Sequence, residues 1–283
     1  MQLVNKRVFE GLIKSGACDS LGRSRAGMMK ELPACMERGQ GKQRDEQLGQ
    51  SNMFDSFDVE EEKQSDVTVE EWSDADRLKL ERESIGFYIT GHPLDGFTRE
   101  LSWFTDATSA SVAEAGNGKS VSLAGIPIKH LPKTTRKGDK MGIITLEDLQ
   151  GSVEVILWPE IYSQVLDLLL AEEPLLVKGE VDSEGNMPKV IAKSVFPLAQ
   201  AKQHHHGRVL IHFRTLGLER ETLVAVKGIL ASHKGNNDTR LHFIFPDDKE
   251  RVVTVAEELR IQPSDEVIEQ IQALLGEDAI LFE

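Results

Sequence analysis

The sequence predicts an α+β protein of several domains: a helical N-terminal region, a five-stranded β-barrel and a small C-terminal α+β domain. Three observations carry this. Outside residues 39–70, apolar residues recur at helical spacing up to about residue 90. From residue 119 the period changes to two, with a single helical interruption. After a polar joint at Gln200 to Gly207, alternating and helical stretches mix.

Residues 1–38 form the first helical segment. Within it, 4–16 read as an amphipathic helix, with Val8, Phe9, Leu12 and Ile13 apolar and Gly16 at its C-cap. Asp19 to Gly22 is a turn. Residues 23–39 give a second helix carrying Met28, Met29, Leu32 and Met36, with an interruption expected at Pro33. Residues 39–70 have linker composition, polar and charged with little periodicity. Residues 71–118 form another helical segment. It opens on a helix with Ser73 as N-cap, Leu78, Ile85 and Tyr88 or Ile89 as apolar face, and Gly91-His92-Pro93 as expected end.

Residues 119–199 carry the barrel. Val121 to Ile126, Met141 to Leu146 and Val153 to Leu157 are strands, and a helix with Ile161, Val165 and Leu168 on one face follows. Leu175 to Val181 and Lys189 to Val195 complete the set. Three strands, a helix and two strands in about 80 residues suit the oligonucleotide/oligosaccharide-binding (OB) fold, a five-stranded Greek-key barrel. Another small β-barrel is the alternative. Residues 207–283 form the last domain, with strands at Val209, Leu241 and Val252 and helices at Glu219 to Leu230 and Ser264 to Leu275.

A net charge of −14 argues against a surface coated with basic groups, but nucleic-acid binding needs only a local patch. Cys18 and Cys35 fit neither a zinc site nor a redox pair and read as free thiols. No apolar run approaches a membrane span and no signal peptide is present, so the expected setting is the cytoplasm.

Two stretches point to binding. Gln50-Ser51-Asn52-Met53-Phe54 places two large apolar side chains in an otherwise polar segment. Gln50, Met53 and Phe54 could dock in a partner's pocket, or Met53 and Phe54 could pack on their own chain. The expected connection between the first two barrel strands carries Lys129, Lys133, Arg136, Lys137 and Lys140. Barrels of this type bind strands across strands two and three, where basic groups follow phosphates and aromatics stack bases. Trp158 is the aromatic candidate; a core position beside Pro159 is the alternative.

Other clusters are weaker. His204-His205-His206 reads as adventitious metal binding, and Gly116 to Lys119 lacks the spacing of a phosphate loop. The carboxylates of 58–76 form a solvated run, and no compact pair suited to two magnesium ions stands out. No catalytic or metal residues are assigned.

These pieces resemble the bacterial replicative DNA polymerase III alpha subunit family, the C-family polymerases. Val4 to Arg7, Leu12 to Ala17 and Asp19 to Gly22 resemble the segment after that family's helix-hairpin-helix unit. Glu83 to Leu94, ESIGFYITGHPL, resembles a signature just before its OB barrel. Gly142 to Asp148 and Gly151 to Val155 match within the barrel, and Gln50 to Phe54 sits where the family carries its clamp-binding peptide. The resemblance implies a C-terminal part of the polymerase, binding the sliding clamp (beta subunit) and single-stranded template DNA. It implies that the catalytic palm lies upstream, that this chain alone is inactive, and that Mg2+ belongs to the missing catalytic domain, with no cofactor here. Residues 207–283 correspond to the region that contacts the clamp-loader tau subunit. No membrane partner is expected. The alternatives are a free-standing OB-fold binder of single-stranded nucleic acid and a nuclease or nucleotidyltransferase in its own right.

Overall fold

The computed structural model describes residues 5–47, 69–185, 187–247 and 249–283. The chain divides into two compact units, Met1–Asp95 and Gly96–Glu283.

In the first unit, α1 (Lys6–Lys14) starts where the Asn5 side chain accepts from the Val8 N–H at 3.1 Å. Ile13 is buried with Met28 and Leu32, whereas Val8, Phe9 and Leu12 of the expected apolar face are exposed. The second helix, α2 (Arg25–Gln47), corrects the expected boundaries: it passes through Pro33 and covers residues 39–47, assigned above to the linker. Buried Leu32 and packed Met36 hold the helix on either side of the proline, against its cost of about 3 kcal/mol. Beyond it, Met, Glu, Arg, Gln and Lys are good helix formers, so a polar composition hid a helical propensity.

Helix α3 (Asp74–Ile85) begins at Ser73, whose hydroxyl accepts from the Asp76 N–H. It ends at Gly86, five residues before the expected Gly91-His92-Pro93, because Gly86 adopts a left-handed φ of 89°. The chain beyond turns back onto the helix: the Glu81 carboxylate accepts from the Ile89 and Thr90 N–H groups at 2.8 and 3.1 Å. The His92 ring packs edge-on against Tyr88 and its Nδ1 accepts from the Leu94 N–H. The most distinctive sequence segment thus forms a tied-down turn.

The second unit opens with α4 (Thr98–Phe104) and α5 (Ser109–Val112). Phe104 packs on Phe282, Val112 lies in the barrel core, and Ser109 donates twice to Asp148. Residues from Gly96 onward therefore belong with the barrel, and the segment 71–118 is divided between the two units.

The barrel comprises β1 (Ser120–Thr134), β2 (Lys140–Glu147), β3 (Ser152–Leu157), α6 (Pro159–Ala171), β4 (Leu175–Asp182) and β5 (Lys189–Pro197). It closes in the order β1-β2-β3-β5-β4, with β3 and β5 parallel and the other pairs antiparallel. Inward Leu123, Ile144, Val155, Leu157, Val177 and Val190 fill it, each worth roughly 1.5–3 kcal/mol in buried apolar surface. The core side of α6 is Tyr162, Val165 and Leu169; Ile161 and Leu168 are only partly buried. Tyr162 lies so close to β2 that a Cβ at Gly142 would sit 2.6 Å from its ring.

The C-terminal domain comprises β6 (Arg208–Arg214), α7 (Arg220–Ser232), β7 (Lys234–Ile244), β8 (Glu250–Thr254), α8 (Asp265–Leu275) and β9 (Ile280–Phe282). The sheet order is β8-β7-β6-β9, and α7 makes the crossover between the parallel pair β6 and β7. Val209, Ile211 and Phe213 of β6 are buried on one face. The other side of β6 carries Leu210 and His212. The three-residue β9 was too short for periodicity to signal.

Candidate nucleic-acid interface

The basic segment is a β-ribbon and not the open connection expected. Lys129 and Lys133 lie on β1, Lys140 opens β2, and only Thr135 to Asp139 turn between them. The decisive detail is a bulge. Pairing of β1 with β2 shifts register between Pro127 and Lys129. Before it, Val121 and Leu123 point into the core; after it, Lys129, Leu131 and Lys133 pair with Thr145, Ile143 and Met141. These β2 residues alternate with inward Gly142, Ile144 and Leu146, so they face out. One extra residue therefore reverses the inward and outward parity of β1 and turns both lysines to the outer face.

Register extends this face across the sheet. Lys129, Thr145, Glu154 and Lys189 form one row on β1, β2, β3 and β5; Leu131, Ile143, Ile156 and Ile191 form the next. Trp158 follows Leu157, the partner of Gly142, and continues the outward parity of Glu154 and Ile156. It is 48% exposed, which removes the core alternative. An apolar strip ending in an exposed indole thus runs between basic groups.

Lys129, Lys133, Arg136, Lys137 and Lys140 are exposed. Among the described residues, none of the five is held in a salt bridge. An acidic group lies within the row: Glu154, paired with Lys189 at 2.7 Å. Its carboxyl lies below the usual range, chiefly through the hydrogen bond from Lys189, against an opposing effect of burial, with the charges of Lys189, Lys133 and Lys129 adding to it. Lys129 and Lys133 thus act on the same patch as Glu154, as the strand register requires.

His130 faces the opposite way, its Nε2 2.9 Å from the Tyr162 hydroxyl, and ties the ribbon to α6. Leu131, Met141, Ile143, Ile156 and Ile191 carry no sequence signal for a binding face. Their outward placement depends on the bulge and on cross-strand register, which alternation alone does not fix.

The histidine run serves the fold. His204 stacks on Phe196, and His205 is buried against Phe104 and Phe282 with Nε2 3.1 Å from the Arg208 carbonyl. Burial lowers the His205 pKa from its ordinary value. Gln50, Met53 and Phe54 lie outside the described residues.

Comparison with known proteins agrees with the barrel fold. Residues 122–198 match the family profile described as an OB-fold nucleic acid binding domain. Over its whole length the chain is 32% identical to DNA polymerase III subunit alpha of Vibrio cholerae, covering 25% of that protein. It is homologous, from end to end, to part of the DNA polymerase III alpha subunit. The Escherichia coli alpha subunit is 28% identical over 99% of this chain, and that of Saccharopolyspora erythraea 31% over 82%. The chain spans about a quarter of the length of the curated alpha subunits it matches. Among the described residues, no helix is long and apolar enough to cross a membrane.

Proposed function

We propose that this chain is the part of a replicative, cytoplasmic DNA polymerase alpha subunit that holds single-stranded template on its OB barrel and tethers the polymerase to the sliding clamp. The observation that carries the first half is the parity reversal in β1. It sets Lys129 and Lys133 beside an apolar strip that ends in exposed Trp158. Cations along such a strip meet phosphates, while the indole offers a stacking surface to any base. The chemistry suits binding without base readout, as a moving template requires.

The second half rests on Gln50, Met53 and Phe54 and on the alpha-subunit homology. By the same homology, residues 207–283 offer a docking surface to the clamp-loader tau subunit. Clamp, template and polymerase would share one DNA, so weak individual contacts gain from effective concentration.

Single-stranded DNA binding should weaken steeply with salt. Charge reversal of Lys133, Arg136 and Lys137 together should flatten the logarithmic salt slope by up to about 2, at about 0.7 for each phosphate no longer neutralised. Fluorescence titration of a labelled homopolymeric oligonucleotide over a salt series reads this. An unchanged slope would move the binding face away from the ribbon.

Trp158→Ala should behave differently. Loss of base stacking should cost about 1–3 kcal/mol while the salt slope stays as in the unaltered chain. The same titration separates the two variants: a changed slope would mean that the indole merely positions cations.

A further inference from the structure

The C-terminal sheet brings together three metal-ligating side chains that are far apart in sequence. His212 on β6 and His242 on β7 are direct partners in the parallel register. Val252 pairs with His242 and Ile244 with Glu250, so the period of two puts Glu250 on the face of His242. The two imidazole rings lie 5.1 Å apart between centroids. One nitrogen of each histidine and one Glu250 oxygen lie within 4.8 Å of one another.

We propose that His212, His242 and Glu250 form a site for a first-row divalent cation, with zinc the best fit. Two imidazoles and one carboxylate are a zinc-type ligand set that leaves a fourth position for water. Ligands on a tetrahedral zinc stand about 3.3 Å apart, given bonds of about 2.0–2.1 Å, so closure needs only small side-chain shifts. The Nδ1 of His242 already meets the Glu250 carboxylate, so a metal entering there would take that nitrogen and one carboxylate oxygen in place of their hydrogen bond. The nearby cation Arg240 is engaged by Asp238 at 3.0 Å, which limits its repulsion of a metal. This site departs from the expectation that the chain holds no metal, and it is independent of the DNA-binding face.

The test is calorimetric titration of the full chain with Zn2+ alone, beside a His212→Asn/His242→Asn variant. The run His204-His205-His206 persists in the variant and reports adventitious binding. The expected result is one zinc equivalent present in the unaltered chain and lost from the variant, with Glu250→Gln weaker by about tenfold or more. Equal stoichiometry and affinity in both chains would overturn the proposal. Should the variant misfold, Co2+ added to the unaltered chain decides it. Paramagnetic shifts of the His212 and His242 ring protons support the site, and shifts confined to His204, His205 and His206 overturn it.

Discussion

Met53→Ala/Phe54→Ala is expected to reduce affinity for the bacterial sliding clamp by about 30-fold to about 20,000-fold. Each side chain is a large apolar anchor in a segment with little else to bury. Removing an anchor from a small interface costs on the order of 1–3 kcal/mol, and two anchors about twice that if they act independently. Gln50→Ala should cost less, since water can replace an amide's hydrogen bonds. The check is titration of labelled clamp with both proteins, after circular dichroism shows that they fold alike. Equal affinities would mean that Met53 and Phe54 pack against their own chain.

Arg25→Met is expected to destabilise the first unit by about 3–5 kcal/mol, the usual cost of leaving one half of a buried ion pair. Arg25 and Glu81 are 3% and 0% exposed in their side chains, with Nη1 and Oε1 3.5 Å apart. The same guanidinium donates to Asp19 at 2.6 Å and to the Lys14 carbonyl at 3.2 Å, so it links α1, α2 and α3. Replacing both partners by apolar groups would not restore stability. Glu81 also accepts from the Ile89 and Thr90 N–H groups, which would then be left without their partner. Native-state hydrogen exchange of the α1 and α3 amides, with barrel amides as reference, reads the effect locally. Unchanged protection in α3 would mean that Glu81 finds water when Arg25 is removed.

The same cluster sets an acid limit. Burial is the largest single influence on Glu81 and raises its pKa, but hydrogen bonds from Ile89 and Thr90 and the charge of Arg25 together bring it below the usual carboxylate range. Asp19 is also lowered, first by its hydrogen bond from Arg25. Glu71 is lowered as well: burial opposes, and the N–H groups of Ala26, Trp72 and Arg25 prevail. Carboxyls with depressed folded-state values contribute fully above their unfolded values of about 4, and the contribution is lost as pH falls through the lower folded values. Opening of the first unit should therefore increase below about pH 4, and Glu81→Gln should flatten that limb.

The barrel was legible because alternation, turn residues and one helix agreed over its whole length. Strands two to five were placed within a residue or two of the expected ends. The ribbon at Lys129 was not legible as such. Its charges stood out, but the bulge that turns them outward is a matter of pairing geometry, and a one-residue slip moves every side chain to the other face. Helix α2 runs past residue 38 unannounced because its polar face has the composition of a linker. Gly86 ended α3 early because an αL glycine stops a helix more firmly than the proline seven residues on biases its neighbour. The His212, His242 and Glu250 cluster had no sequence signal, since a parallel register joins residues thirty positions apart.

The central claim is that template occupies the outer face of β1, β2 and β3. The most direct test is to map which amides and side chains respond when single-stranded oligonucleotide is added, by heteronuclear NMR or by photocrosslinking with mass spectrometry. Responses are expected at Lys129, Leu131, Lys133, Ile143, Ile156 and Trp158, with little change on the outer side of β4. Responses concentrated on β4 and the 183–188 connection, with the β1–β2 ribbon silent, would contradict it.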